Sequence, residues 1–315
     1  MKWRLKSAIQ RACATVPLGS EAIYYGIQRS VGSLRKPAPP WEMLSAAASM
    51  ISWLRDAGLP IQSSRMMEVG TGRRVDLPLG LFLGGAESID TFDLHRYLKL
   101  PLVQNTVRFI CDDQTKMEKI FLPVTDQQAF SKRFEKICSA RGTEDLIRTA
   151  GIRYHAPADA TATELKAGSI DVHVSYTVFE HIPTDILRNI LHEARRVLSP
   201  DGVVLHHVDP SDHFSHDDPE ITRINFLKFS EAEWQRHAGN QFAYHNRLRV
   251  NDYRKIFEDC GYEILRWEEL IDAPSMKLLK SGFPVDNRFK GLSAEVLCST
   301  NFRVLARPRP ATSRS

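Results

Sequence analysis

Met66-Met67-Glu68-Val69-Gly70-Thr71-Gly72, followed by Ser88-Ile89-Asp90-Thr91-Phe92-Asp93, decides how this 315-residue chain is read. The first run is apolar up to an acidic residue and a glycine turn. The second is a short apolar run that ends in a carboxylate. Both have strand length, and a helix fits between them. Gly70 and Gly72 lack a Cβ, so the backbone can turn tightly and lie close to a ligand. A carboxylate about 20 residues beyond such a turn can accept hydrogen bonds from a ribose diol. Together the two runs predict a site for a nucleotide-like cofactor.

A dinucleotide turn would carry a third glycine and hand its pyrophosphate to a helix N-terminus. Here Gly72 is followed by Arg73-Arg74-Val75-Asp76-Leu77-Pro78. Pro78 suits the first turn of a helix and Asp76 can cap it, so the helix is expected late, over roughly Pro78–Leu83. The looser turn, with Glu68 at its base, leaves room for an adenosyl-amino acid instead of a pyrophosphate.

Outward from this stretch, strands are expected at Arg65–Val69, Ser88–Phe92, Ile152–His155, Ile170–Tyr176, Val203–Val208, Tyr262–Trp267 and Asn301–Ala306, with helices between them. That alternation predicts an α/β, doubly wound, Rossmann-like sheet of seven parallel strands. Residues 1–40 read as a basic helical appendage that breaks at Lys36-Pro37-Ala38-Pro39-Pro40, and 41–307 as the main domain. Residues 94–150 and 209–246 exceed what a crossover needs and read as two cap insertions. Residues 308–315 read as a disordered basic tail.

In an open parallel sheet, ligands lie beyond the carboxyl ends of the strands, and the polar residues of this chain gather there. Glu68, Gly70 and Gly72 follow the first strand, Asp93 the second (with Asp90 as an alternative) and Asp159-Ala160 the third. Val178-Phe179-Glu180-His181-Ile182-Pro183 follows the fourth. In this order they resemble the motifs of class I S-adenosylmethionine-dependent methyltransferases, over roughly Met66 to Val208. The resemblance implies S-adenosylmethionine as cofactor. It implies contacts from Glu68, Gly70, Thr71, Gly72, Asp93, Leu94, Asp159, Ala160 and Tyr176, with Asp93 on the ribose and Asp159 on the adenine amino group. It also implies that His181 positions the cofactor or starts the next helix.

Beyond the fifth strand lies the densest polar cluster, His206, His207, Asp209, Asp212, His213, His216, Asp217 and Asp218. Three readings stand open: a solvated turn, a general base at His207 or His213, or a divalent metal held by Asp209, Asp212 and a histidine. The candidate catalytic residues are His207, His213 and His181, and no metal is assigned. Without an N/D-P-P-Y run or a Pro-Cys nucleophile after the fourth strand, amino methylation of adenine or glutamine and C5 methylation of cytosine are disfavoured.

Arg223–Ser230, Trp234 and Tyr244–Arg249 mix aromatic and hydrogen-bonding side chains, which suits a sugar ring or an exposed base. The pattern His207-Val208-Asp209, Asp212-His213-Phe214, Asn225-Phe226-Leu227 and Asn246-Arg247-Leu248 looks similar to bacterial methyltransferases of surface-polysaccharide biosynthesis. The expected activity is O-methylation of a small-molecule or glycan acceptor. The alternatives are N- or C-methylation of a natural-product precursor, or a non-catalytic cofactor-fold binding protein.

A net charge of +4 is small for this length and argues against a dedicated nucleic-acid binder. Five cysteines without a C-x-x-C pair suit unpaired thiols in a reducing, cytoplasmic compartment. The amphipathic, basic stretch Met1–Arg11 reads as a helix packed on its own domain, or as one that rests on an anionic membrane.

Overall fold

Short apolar runs bounded by turn residues form one seven-stranded sheet in a computed structural model that describes residues 1–30 and 37–310. The strands are β1 (Arg65–Val69), β2 (Ser88–Phe92), β3 (Ile152–His155), β4 (Ile170–Tyr176), β5 (Leu198–Val208), β6 (Tyr262–Ile271) and β7 (Ser299–Pro308). Their order is β3-β2-β1-β4-β5-β7-β6. β1 pairs in parallel with β2 and β4, and β2 with β3. This is the Rossmann-like seven-strand architecture, with one correction: β7 is antiparallel, so the sheet is mixed. β6 and β7 are consecutive in the chain and adjacent in the sheet, and such neighbours need no crossover and run in opposite directions.

The chain divides into two units. One comprises Pro37–Ser175, Asn189–His206 and Leu305–Ser315. Here the helix Asp76–Gly84 has no polar face and all nine of its residues are buried. It lies against the helix Trp41–Asp56, and glycine makes the approach possible. A Cβ on Gly80 would sit 2.5 Å from Ala47 Cβ, and one on Gly84 1.9 Å from Ile51 Cδ1. Asp76 does not cap this helix: Val75 is the N-cap, and the buried Asp76 carboxylate accepts the Thr106 hydroxyl at 2.6 Å.

The stretch 94–150, expected to be a cap insertion, holds four helices of this same unit, Leu100–Asp112, Gln114–Phe121, Gln127–Cys138 and Thr143–Thr149. Arg133 donates to the carbonyls of Phe82, Gly85 and Ala86 at 2.8, 2.9 and 2.7 Å. These carbonyls lie at the C-terminal end of the helix Asp76–Gly84, where those of Phe82 and Gly85 also accept the N–H groups of Gly85 and Ser63. Cys111 and Cys138 form a disulfide with Cα atoms 5.6 Å apart, which corrects the expectation of unpaired thiols. No local motif announces the pair, because two helices bring together cysteines that are 27 residues apart in sequence.

The other unit comprises Met1–Lys36, Tyr176–Arg188 and His207–Val304. Its core joins distant segments: Trp3, Phe214, Ile224, Phe226, Leu227, Trp234, Phe289 and Leu297 pack together. The helix Trp3–Ala14 sets its Trp3 ring 5.6 Å from Phe214, and its Ser7 hydroxyl donates to the His237 carbonyl at 2.8 Å.

The aromatic and arginine residues expected to present a ligand surface belong to this interior. Phe226, Trp234 and Arg249 are at most 1% exposed and Arg247 is 2% exposed. Arg247 donates to the Phe226 and Phe229 carbonyls and to Glu231. A buried guanidinium must be solvated by the protein itself. Aromatics beside arginines are therefore as much a core pattern as a binding one.

Residues 31–36 and 311–315 lie outside the described residues, and with them part of the Lys36–Pro40 break and most of the expected tail, whose Pro308 ends β7. Among the described residues no helix is long and apolar enough to cross a membrane. Thiol titration in denaturant should find three reactive cysteines (Cys13, Cys260 and Cys298) without reductant and five with it. Five in both conditions would remove the bridge.

Candidate active site

At the end of β1, Glu68 is 2% exposed and lies in register with Thr91 of β2. The Thr91 hydroxyl donates to Glu68 Oε2, and Thr71 Oγ1 shares a hydrogen bond with Thr91 Oγ1. Burial pushes the Glu68 carboxyl up to about 8, with the Thr91 bond opposing and Asp93 and Asp76 adding to the rise. Glu68 thus sits as a neutral acid and ties the turn to β2.

Gly70 and Gly72 have φ of 90° and 68°, values that other residues adopt only under strain. A Cβ on Gly72 would meet nothing within 4 Å, so the backbone dihedral, not crowding, demands glycine, and open space lies beyond. Gly70 N–H donates to the Phe92 carbonyl, and Gly72 N–H to Asp93 Oδ2, both at 2.8 Å. Asp93 is fixed further by its own N–H on the His155 carbonyl and by Ala158 N–H on its carbonyl. Burial raises its carboxyl to about 7, against the Gly72 bond.

Asp90, the alternative to Asp93, is occupied: it pairs with Arg153 and bonds His155 Nε2 at 2.8 Å. Leu94 is 64% exposed. Asp159 is exposed, accepts Thr161 N–H at 2.8 Å, and lines a cavity of about 600 Å³ with Phe92, His155, Ala158, Thr163 and Leu165. Ala160 beside it is buried. The turn, the carboxylate and the open space beside a glycine fit an adenosyl cofactor.

The other unit carries His181, His207, His213, His216 and His245. His207 stacks on Tyr176, with ring centroids 4.3 Å apart and planes 11° apart, and its buried Nδ1 has no partner. Burial lowers it to about 4, helped by Arg303. His206, its strand neighbour, lies in the first-described unit and shares a 2.8 Å hydrogen bond with the Ser175 hydroxyl. Asp212, the second acid of the expected metal set, is fully buried and spent on Phe214 N–H and Asn225 Nδ2 at 2.9 and 3.0 Å. It takes no part in a cluster.

Glu180, His181 and His213 do come together, with Asp209 beside them. His181 and His213 meet edge to face at 4.8 Å. His213 Nε2 is 3.9 Å from Glu180 Oε1 and 3.8 Å from Asp209 Oδ2. His216 Nε2 lies 3.4 Å from Asp209 Oδ2. Burial works to raise the Asp209 carboxyl, but His216, His213 and Ser211 hold it well below the usual range. Burial lowers His213 to about 3, with His181 adding to the drop and Asp209 opposing it.

His245 stacks on His213 at 5.1 Å. Asn246 clamps the segment by donating to the carbonyls of Glu180, Phe179 and Ile182, each at 2.9 Å. Sequence reading put neither Glu180 nor His245 among the candidate site residues. Glu180 offered a signal, an acid beside a histidine just past a strand. His245 offered none, since it stands in a stretch rich in aromatics and arginines.

A family model described as a methyltransferase domain matches residues 128–206, which is 79 of the 315 residues and runs from the helix Gln127–Cys138 through most of β5. The chain is an S-adenosylmethionine-dependent methyltransferase. The match takes in Asp159, Tyr176, Glu180 and His181, and leaves the Glu68–Gly72 turn and Asp93 outside it.

Among solved structures, the methyltransferase is similar to a SAM-dependent methyltransferase of Methanosarcina mazei (13% identity, 81% of this chain and 96% of that chain, TM-score 0.44). It is also similar to magnesium protoporphyrin IX methyltransferase of Synechocystis with bound SAH (14% identity, 96% and 99%, TM-score 0.44). A third is an S-adenosylmethionine dependent methyltransferase of Mesorhizobium loti (15% identity, 82% and 97%, TM-score 0.41). These names assign no acceptor to this enzyme. No curated protein matches the chain.

Glu68 keeps its proton to about 8 when folded and loses it near 4.5 when unfolded. Its contribution to stability is therefore complete below 4.5 and is lost as pH rises towards 8. Glu68→Gln removes that dependence. Denaturation at about pH 5 and pH 8 should show the variant losing less stability than the parent, by on the order of 3 kcal/mol. Parallel losses would mean that Glu68 is ionised when folded.

Proposed function

We propose that this methyltransferase transfers the methyl group to a hydroxyl oxygen of a small-molecule or glycan-like acceptor. The observation that supports this reading is the histidine–carboxylate cluster of Glu180, His181, Asp209 and His213 within one unit. An oxygen acceptor is a poor nucleophile until it sheds its proton, and such a cluster lowers the cost of that loss. When bound, S-adenosylmethionine supplies a methyl group on a positively charged sulfur that leaves readily.

In this reading Glu68, Gly70, Thr71, Gly72, Leu94, Asp159 and Ala160 frame the donor, and Asp93 accepts the ribose hydroxyls. His213 and His181 act on the acceptor. His207, packed against Tyr176, supports that ring and stays outside proton transfer. The sequence likeness to enzymes of surface-polysaccharide biosynthesis favours a sugar hydroxyl as acceptor. It is tempered by the burial of Phe226, Trp234, Arg247 and Arg249. No nucleic acid is proposed as a partner. A cytoplasmic location is part of the proposal, and the Cys111–Cys138 bridge is the observation that weighs against it.

Asp93→Ala should weaken S-adenosylmethionine binding by about 1–3 kcal/mol in calorimetry, since the ribose loses its acceptor. Unchanged affinity would move the ribose contact elsewhere. With cofactor saturating and a panel of hydroxyl and amine acceptors, mass spectrometry should find an O-methylated product. His213→Ala should cut its turnover about 10²–10⁴-fold and leave cofactor affinity intact. Amine products alone, or full turnover in the variant, would overturn the oxygen-acceptor reading.

A further inference from the structure

We propose that Glu180, His181 and His213 bind one divalent transition-metal ion such as zinc, cobalt or manganese. Each offers one ligand atom, and these atoms lie within 4.8 Å of one another. Two imidazoles and a carboxylate, with no thiolate, suit a borderline first-row ion better than calcium or magnesium, which take oxygen ligands.

Two further observations point to a ligand. Glu180 is 2% exposed and its buried Oε2 has no hydrogen-bond partner. Its Oε1 receives the Asp209 N–H at 3.3 Å, a long bond. A carboxylate placed this way is short of donors, and a cation supplies what they do not. The tautomer of His181 agrees. His181 Nδ1 lies 2.9 Å from the Tyr244 carbonyl, which can only accept, so Nδ1 carries the proton and Nε2 keeps its lone pair. Metal-bound histidines are oriented by this same second hydrogen bond.

The ion replaces one weak contact, that of His213 Nε2 with the Asp209 carbonyl at 3.2 Å. Asp209, 3.8 Å from His213 Nε2, is then a positioning residue, itself held by Ser211 N–H at 3.0 Å. The Asn246 clamp fixes the backbone that carries Glu180 and His181. His181 is exposed, so the site is open to solvent and keeps room for a further ligand, as catalytic metal sites do and structural ones do not. Binding of the ion stands on this geometry alone. Its role, to hold an acceptor hydroxyl and lower its pKa as a Lewis acid, rests on the oxygen-acceptor reading.

The test uses the whole chain, dialysed against chelator and titrated with Co²⁺, with binding followed by visible absorption and calorimetry. One equivalent should bind and be displaced by Zn²⁺. His181→Ala, His213→Ala and the near-isosteric Glu180→Gln should each lower Co²⁺ affinity roughly 100-fold or more. His192→Ala, an exposed position on the helix Thr184–Val197, should not change it. Retained S-adenosylmethionine binding certifies that each variant is folded. No Co²⁺ binding by the parent, or equal binding by the folded variants, overturns the site. Ion binding without an O-methylated product keeps the site and overturns the acceptor reading. O-methylation by a chain that binds no ion does the reverse.

Discussion

The buried guanidinium of Arg249 is the constraint on which the histidine-bearing unit depends. It is fully buried and stays charged although burial lowers its pKa to about 10. Its donors go to backbone carbonyls, those of Pro210, Val296, Leu297 and Ser299. Pro210 follows Asp209 directly, and Ser299 opens β7. One cation thus ties the loop that carries Asp209 and His213 to the segment that begins the antiparallel strand. Removing it would strand several carbonyls in a dry interior, each a cost of about 1–3 kcal/mol.

The other unit rests on a neutral counterpart. Glu68, Thr91 and Thr71 form a hydrogen-bonded chain from β1 through β2 to the glycine turn. Its members are buried, so the turn cannot shift without leaving polar groups unpaired. Asp93 is then placed by the turn itself, through Gly72 N–H. The two units use opposite devices, a charge solvated by carbonyls and an acid kept uncharged.

What the sequence made legible was local. β1, β2, β3 and β4 have the expected bounds because a short apolar run between turn residues says where a strand starts and stops. The glycine turn and Asp93 were legible for the same reason. The direction of β7 was not, since it depends on which strands β7 lies between, and an apolar run carries no mark of its partners. The polar loop after β5 was legible as a cluster but could not be sorted. Asp209 and Asp212 are three residues apart and chemically alike, yet one meets histidines and the other is sealed by Asn225 and Phe214. Phe226, Trp234 and Arg247 were misread because composition alone does not separate a core from a binding face.

Trp3 packs on Phe214, and its N–H donates to Asp218 Oδ2 at 2.8 Å, across 215 positions of sequence. On a ribosome, which makes the chain from its N-terminus, this helix waits with its aromatic residue exposed until more than two thirds of the protein has emerged. The Pro37–Ser175 stretch of the other unit, whose early strands pair with one another, can gather its core meanwhile. The order of synthesis therefore sets which part of the molecule is born exposed, and the Trp3 helix finds its place only after Phe214 and Asp218 have been made.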